Sequence, residues 1–188
     1  ALAGNPNAGK TTVFNAITGA RQHIANYPGV TVEKKYGVVQ HRGYEIEVVD
    51  LPGTYSLTAY SLEEIVARDF IVNERPTLVV DIVDASNLDR NLYLATQLKE
   101  LGVPMLVALN MMDVAESRGI TIDNNAFSEQ FGVSVVPMVA RSNQGIRDLL
   151  DTGVEVAQQD PEWRMAAISY GMDIDGALDD ISALIEKS

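Results

Sequence analysis

A few short segments of this 188-residue chain combine side chains and spacings able to do chemistry. Gly4-Asn5-Pro6-Asn7-Ala8-Gly9-Lys10-Thr11 matches the pattern G-x-x-x-x-G-K-[ST] in full. Its glycines let successive backbone N–H groups turn inward onto a β-phosphate, and a helix starting near Lys10 adds the positive end of its dipole. Lys10 is expected to reach the β- and γ-phosphates and the Thr11 hydroxyl to ligate Mg²⁺. Thr12 completes this part of the nucleotide-binding set.

Asp50-Leu51-Pro52-Gly53 ends an apolar strand, where open α/β sheets place their ligands. Asp50 there is expected to hold Mg²⁺ through water, and the Gly53 N–H to bond a γ-phosphate. A loop held by a terminal phosphate is a switch, because hydrolysis removes the contact. Asn110-Met111-Met112-Asp113 follows another apolar strand. The Asp113 carboxylate can accept from both N1–H and the exocyclic amine of guanine, whereas adenine offers an acceptor at N1 and lacks that amine. Asn110 is expected to tie this loop to the phosphate loop or to the base, with Met111 packing on the ring. Ala140-Arg141-Ser142, after the last strand, can place a backbone N–H near guanine O6. In Tyr27-Pro28-Gly29-Val30-Thr31, Thr31 is the candidate to bring a second hydroxyl to Mg²⁺ when its loop closes.

Positioning these segments takes strands that end at a common edge, each followed by a helix. Apolar runs alternate with helical periodicity, which predicts an α/β domain with a mostly parallel sheet. Strands are expected at Ala1–Ala3, Leu78–Val83, Val103–Leu109 and Val133–Val139. A hairpin is expected over Val32–Gln40 and Tyr44–Asp50, turning at His41-Arg42-Gly43. Helices are expected at Lys10–Thr18, from a Ser61/Glu64 capping box to about Val72, at Leu88–Leu101, at Asp123–Phe131, and from Ile146 to Ala157. Asp160-Pro161 breaks the pattern. Beyond it, Ile174, Ala177, Leu178, Ile181, Leu184 and Ile185 form an amphipathic stripe behind an Asp173 cap. The domains are therefore residues 1–158, a nucleotide-binding α/β unit, and 159–188, the start of a helical appendage. Ala1 opens directly on the motif strand, which predicts a piece of a longer chain.

Composition narrows the classes. With 14 Lys and Arg against 26 Asp and Glu, the net charge of −12 argues against a nucleic-acid partner. The absence of Cys removes thiol metal sites and disulfides. No apolar run approaches membrane-spanning length.

In this order, G-N-P-N-A-G-K-T, Pro28-Gly29-Val30-Thr31-Val32-Glu33, Asp50-Leu51-Pro52-Gly53-Thr54-Tyr55-Ser56-Leu57, Asp84-Ala85-Ser86-Asn87-Leu88 and Asn110-Met111-Met112-Asp113 resemble the cytosolic N-terminal G domain of the bacterial ferrous iron transport protein B family. The resemblance implies a Ras-like P-loop NTPase fold and a GTP/GDP switch that hydrolyses GTP with Mg²⁺. It also implies a location on the cytoplasmic face of the inner membrane, with a membrane-embedded transporter region of the same polypeptide as partner. A helical domain that favours the GDP form is expected after the G domain. Asn7 matches the position that contacts K⁺ in related potassium-stimulated GTPases. With Lys10, Thr31 and Gly53 it makes up the expected catalytic set. Two departures from Ras-like patterns stand out. Thr54 replaces the Gln that orients water, so slow intrinsic hydrolysis is expected. Met111 replaces the usual Lys, so weaker binding and faster exchange are expected.

Two other classes fit the same motifs: a nucleotide sensor with incidental turnover, and a soluble GTPase of ribosome or tRNA work. The oligomeric state, a homo-oligomer included, is open. His23 and His41 read as solvated loop residues, and Glu63-Glu64 as a solvated helix face. Asp81 reads as an acid with a local partner, and Trp163 as an anchor for the tail.

Overall fold

The computed structural model describes residues 1–19, 22–159, 163 and 171–185. Seven strands form one sheet in the order β2-β3-β4-β1-β5-β6-β7. They are β1 (Leu2–Gly4), β2 (Gln22–Asn26), β3 (Glu33–His41), β4 (Tyr44–Asp50), β5 (Val79–Asp84), β6 (Met105–Asn110) and β7 (Ser134–Pro137). β4, β1, β5, β6 and β7 pair in parallel, while β2 and β3 extend the sheet antiparallel from β4. The helices are α1 (Lys10–Thr18), α2 (Leu62–Glu74), α3 (Leu88–Glu100), α4 (Met112–Ser117), α5 (Asn124–Phe131), α6 (Ile146–Gln158) and α7 (Met172–Ile185).

The parallel strands are almost uniformly apolar because both faces are covered. Val13, Phe14 and Ile17 of α1 and Ile146 and Leu149 of α6 pack on one face with Ile82, Leu106 and Ala108. Ala67 and Ile71 of α2 and Leu94, Ala95 and Leu98 of α3 pack on the other with Val79, Val83, Val107 and Leu109. This double cover fixes the strand ends that carry the motifs. It is the α/β, mostly parallel, helix-flanked architecture of a P-loop NTPase.

Several features depart from the sequence-based expectations or add to them. The segment between α1 and the expected hairpin contains β2, so that the candidate switch segment lies at the tip of a β2–β3 hairpin. Tyr27 N–H donates to Val32 O at 3.0 Å and Val30 N–H to Tyr27 O at 3.3 Å. The strand was hidden because Gln22–Asn26 is an edge, exposed along most of its length, without apolar alternation. A short helix, α4, follows Asn110 at once; Met111 enters it in the left-handed region, φ 62°. The histidines are not loop residues: His23 lies in β2 and stacks on Tyr36 at 5.1 Å, and His41 closes β3 with its ring 2.7 Å from Asp151 Oδ1 in α6. Glu64 is not a solvated acid. It completes the capping box with Ser61, accepts from Ser56 Oγ at 2.9 Å and from Tyr60 N–H at 3.0 Å. Burial opposes its ionisation, but those bonds outweigh it and hold the carboxyl below its usual range.

Asp81 is 1% exposed on the β5 face that packs against α3, and its Oδ2 has no hydrogen-bond partner among the described residues. Burial raises its pKa from 3.8 to about 7.

The break at Asp160-Pro161 lies outside the described residues. In α7, Asp173 falls within the first turn instead of capping it. Trp163 lies against the Arg75 guanidinium, 5.6 Å from its carbon to the ring centroid. Among the described residues, no helix is long and apolar enough to cross a membrane.

Candidate nucleotide site

The site is assembled at the C-terminal ends of β1, β4 and β6. β1 ends at Gly4, and residues 5–9 wrap into the loop that delivers Lys10 to the start of α1. Gly9 sits at φ 92°, and a Cβ there would collide with Asn110 Nδ2. Only glycine allows both the turn and this close approach. The loop is crossed by β4's continuation: Thr54 N–H donates to Gly4 O at 3.3 Å, and a Cβ on Gly53 would stand 3.2 Å from Pro6 Cα. The structure thus brings Gly53 against the phosphate loop.

Lys10 Nζ lies 2.7 Å from Asp50 Oδ1, and Thr11 Oγ1 lies 3.4 Å from Asp50 Oδ2. One ammonium, one carboxylate and one hydroxyl therefore converge, with Asp50 buried and Thr11 at the surface. The hard oxygens of Asp50 and Thr11 are the donor type Mg²⁺ requires, so the residues present fit that ion. Thr31 is not among them; it is exposed at the hairpin tip. The tip residue that is buried is Tyr27, whose hydroxyl has no partner among the described residues. Burial and, after it, the Asp50 charge push the Tyr27 pKa up. Its ring packs edge-on to Phe70 of α2 at 6.2 Å. The sequence places Tyr27 in the right segment, but only the pairing of β2 with β3 reveals its burial.

The base side is held by one residue. Asn110 is 3% exposed; its Nδ2 donates to Ala8 O at 2.9 Å and its Oδ1 accepts from Ala140 N–H at 3.0 Å. The phosphate loop and the loop after β7 are thereby fixed to the end of β6. Asp113 lies in the first turn of α4, where a carboxylate is favoured by the helix dipole. Its Oδ2 is ion-paired with Arg141 Nη2. Met111 reaches over the phosphate loop, its Cε 3.8 Å from the position of a Gly9 Cβ.

Three loop residues are placed less simply. Asn7 is exposed, with φ 67°. Thr12 is exposed on α1. Asn5 donates its amide to Arg90 O of α3 at 3.0 Å, and its Oδ1 is buried with no partner among the described residues. Thr54, where a water-orienting side chain would stand, is 3% exposed. Its hydroxyl donates to Ser56 O and accepts from Ser56 N–H at 3.1 Å.

Residues 1–152 match the family model described as "Ferrous iron transport protein B". The Salmonella typhimurium Fe(2+) transporter FeoB is 51% identical over 152 residues, covering 79% of this chain and 20% of that protein. A Porphyromonas gingivalis Fe(2+) transport protein A/Fe(2+) transporter FeoB fusion protein is 48% identical over the whole chain and 22% of its own length. The chain therefore spans about a fifth of these relatives. The cytosolic domain of the T. maritima FeoB iron transporter in its GMPPNP form superposes with a TM-score of 0.93 at 36% identity, over 98% of this chain and 73% of that one. The cytosolic domain of L. pneumophila FeoB gives 0.90 at 41%, over all of this chain and 81% of that one. By the extent of these matches, and with the fold and motif order described above, the chain belongs to the ferrous iron transport protein B family.

Proposed function

We propose that this domain binds GTP with Mg²⁺, hydrolyses it slowly, and acts as a regulatory switch for ferrous iron uptake across the bacterial inner membrane. The observation that carries the reading is the Asn110 bridge, which makes the phosphate loop and the two base loops one continuous site. The T. maritima relative was solved in GDP and GMPPNP forms, which supports a guanine nucleotide as the ligand.

In this reading the inward N–H groups of residues 5–10 bind the β-phosphate. Lys10 leaves Asp50 for the β- and γ-phosphates, and the Gly53 N–H bonds the γ-phosphate. Thr11 and Asp50 are the residues that would hold Mg²⁺, and Thr31 would add a hydroxyl if the hairpin tip moved inward. When bound there, the ion would supply positive charge against the phosphates. Asp113 reads N1–H and the amine of guanine, the Ala140-Arg141 backbone faces O6, and Met111 packs on the base. Asn7 is the residue that would hold K⁺, which would supply the charge an arginine finger provides elsewhere. Thr54 orients no water, because its hydroxyl is committed to Ser56. Low intrinsic turnover follows.

The coupled partner is a membrane region of the same polypeptide, and the domain works on its cytosolic side. A sensor whose turnover is incidental is the second reading, favoured by Thr54. Calorimetry with GDP, GTP and ATP in Mg²⁺, followed by single-turnover GTP hydrolysis, tests both. Guanine-selective uptake with measurable turnover supports the switch; uptake with turnover at the solution background supports the sensor. Equal uptake of ATP overturns the site assignment.

A further inference from the structure

We propose that Arg141 competes with the guanine base for Asp113, and so sets how fast and how tightly the nucleotide seats. The proposal rests on Asp113 being the base-reading acid, and goes beyond it to the residue that occupies the acid first.

The Arg141 Nη2–Asp113 Oδ2 pair joins two elements whose backbones are braced. On one side, Asp113 belongs to α4, and Met112 N–H donates to Met138 O at 3.4 Å. On the other, Arg141 sits in a 3-10 turn, Ala140–Ser142. Asn110 holds its first residue, a Ser142 Oγ bond to Val139 O at 3.1 Å holds its last, and a Val139–Gln144 bridge closes it. Gly145 follows, where a Cβ would stand 2.7 Å from both Pro137 O and Met138 Cβ. The turn is therefore held at both ends. The part free to move is the Arg141 side chain, 76% exposed against 28% for Asp113.

Guanine needs both oxygens of the carboxylate, one for each of its adjacent donors. A guanidinium on Oδ2 takes one of them. Seating the base requires the Arg141 fork to leave, and departure of the base is helped by its return. Without a base, the pair spares Asp113 from standing unpaired among the loops. Exposed Arg–carboxylate pairs set the scale of the competition at about two- to fivefold in affinity.

The experiment measures association and dissociation of fluorescent ribose-labelled GDP by stopped flow, for the wild type and Arg141→Ala. The same comparison is made in an Asp113→Asn background with labelled xanthosine diphosphate. Arg141→Ala is expected to raise the association rate constant and tighten GDP by about two- to fivefold. In the Asp113→Asn background the arginine has no carboxylate to occupy, and its removal is expected to change xanthosine diphosphate binding by less than that. Unchanged or weakened GDP binding in Arg141→Ala overturns the proposal, since the arginine then supports the base or ignores it. If Asp113→Asn fails to exchange GDP preference for xanthosine diphosphate, the base-reading assignment itself fails and the competition falls with it.

Discussion

Lys10 Nζ stands 2.7 Å from Asp50 Oδ1, with less than a tenth of either side chain exposed. The cation proposed for phosphate and the anion proposed for metal neutralise each other across the end of β4. A nucleotide arriving with Mg²⁺ offers each a replacement: phosphate oxygens for the ammonium, the ion for the carboxylate. A nucleotide alone offers only the first, and leaves Asp50 buried beside added negative charge. Tight nucleotide binding is therefore expected to require Mg²⁺, which calorimetry of GTP in Mg²⁺ and in EDTA checks.

Lys10→Ala is expected to abolish GDP and GTP uptake in calorimetry. It also leaves a buried carboxylate without its counter-charge, a loss typically worth about 3–5 kcal/mol. Adding Asp50→Asn removes that charge, so the double variant is expected to recover much of the stability in urea titrations while still binding no nucleotide. Recovery of binding as well as stability would count against a phosphate role for Lys10.

Asn110→Ala removes both ends of the bridge between Ala8 O and Ala140 N–H, two buried backbone groups. Each orphaned group costs about 1–3 kcal/mol. GDP affinity is expected to fall by at least about tenfold, since the base loops lose their register with the phosphate loop. Calorimetry and a urea titration on one sample separate the two effects. Asn110→Asp keeps the acceptor for Ala140 but sets a buried carboxylate oxygen against Ala8 O, and is expected to cost at least as much as the alanine.

The phosphate loop, the acid at the end of β4 and the Asn110-to-Asp113 segment were all legible from residue order, because each is local: a few side chains on one strand end or helix start. The continuous apolar runs of β5 and β6 likewise report burial on both faces without help from the rest of the chain. What stayed hidden depends on distant partners. β2 is polar and is a strand only because β3 pairs with it. His41 meets Asp151 across 110 residues. Tyr27 is buried by the hairpin and by Phe70 of α2, and Arg141 finds Asp113 through the meeting of two loops. Thr31 lies in the expected segment, yet the hairpin holds it at the surface.

Asp81 gives a pH test that does not involve the nucleotide. Its folded pKa, about 7, is raised above the 3.8 of an exposed acid. Between those values the unfolded chain loses the proton while the folded chain keeps it. The associated stability is thus whole below about pH 4 and is lost as pH rises through about 7, to an extent on the order of a few kcal/mol. Thermal melts of the wild type and Asp81→Asn across pH 4 to 8 are expected to diverge in favour of the variant as pH rises. Parallel curves would show that the Asp81 carboxyl ionises as freely in the fold as in the unfolded chain.

Monovalent-ion dependence tests Asn7. The side chain is exposed in the phosphate loop, at a left-handed backbone position. With Thr54 turned onto Ser56, that position supplies no water-orienting side chain, and charge developing on the phosphates calls for a cation. Single-turnover GTP hydrolysis is expected to be at least about tenfold faster in KCl than in NaCl, about 1.4 kcal/mol of barrier. Asn7→Ala is expected to remove the difference between the salts while leaving GDP affinity within about threefold, because the backbone N–H groups and Lys10 carry the diphosphate. If both salts support the same rate, or if the alanine variant keeps the potassium effect, the ion acts elsewhere or not at all, and slow turnover rests on Thr54 alone.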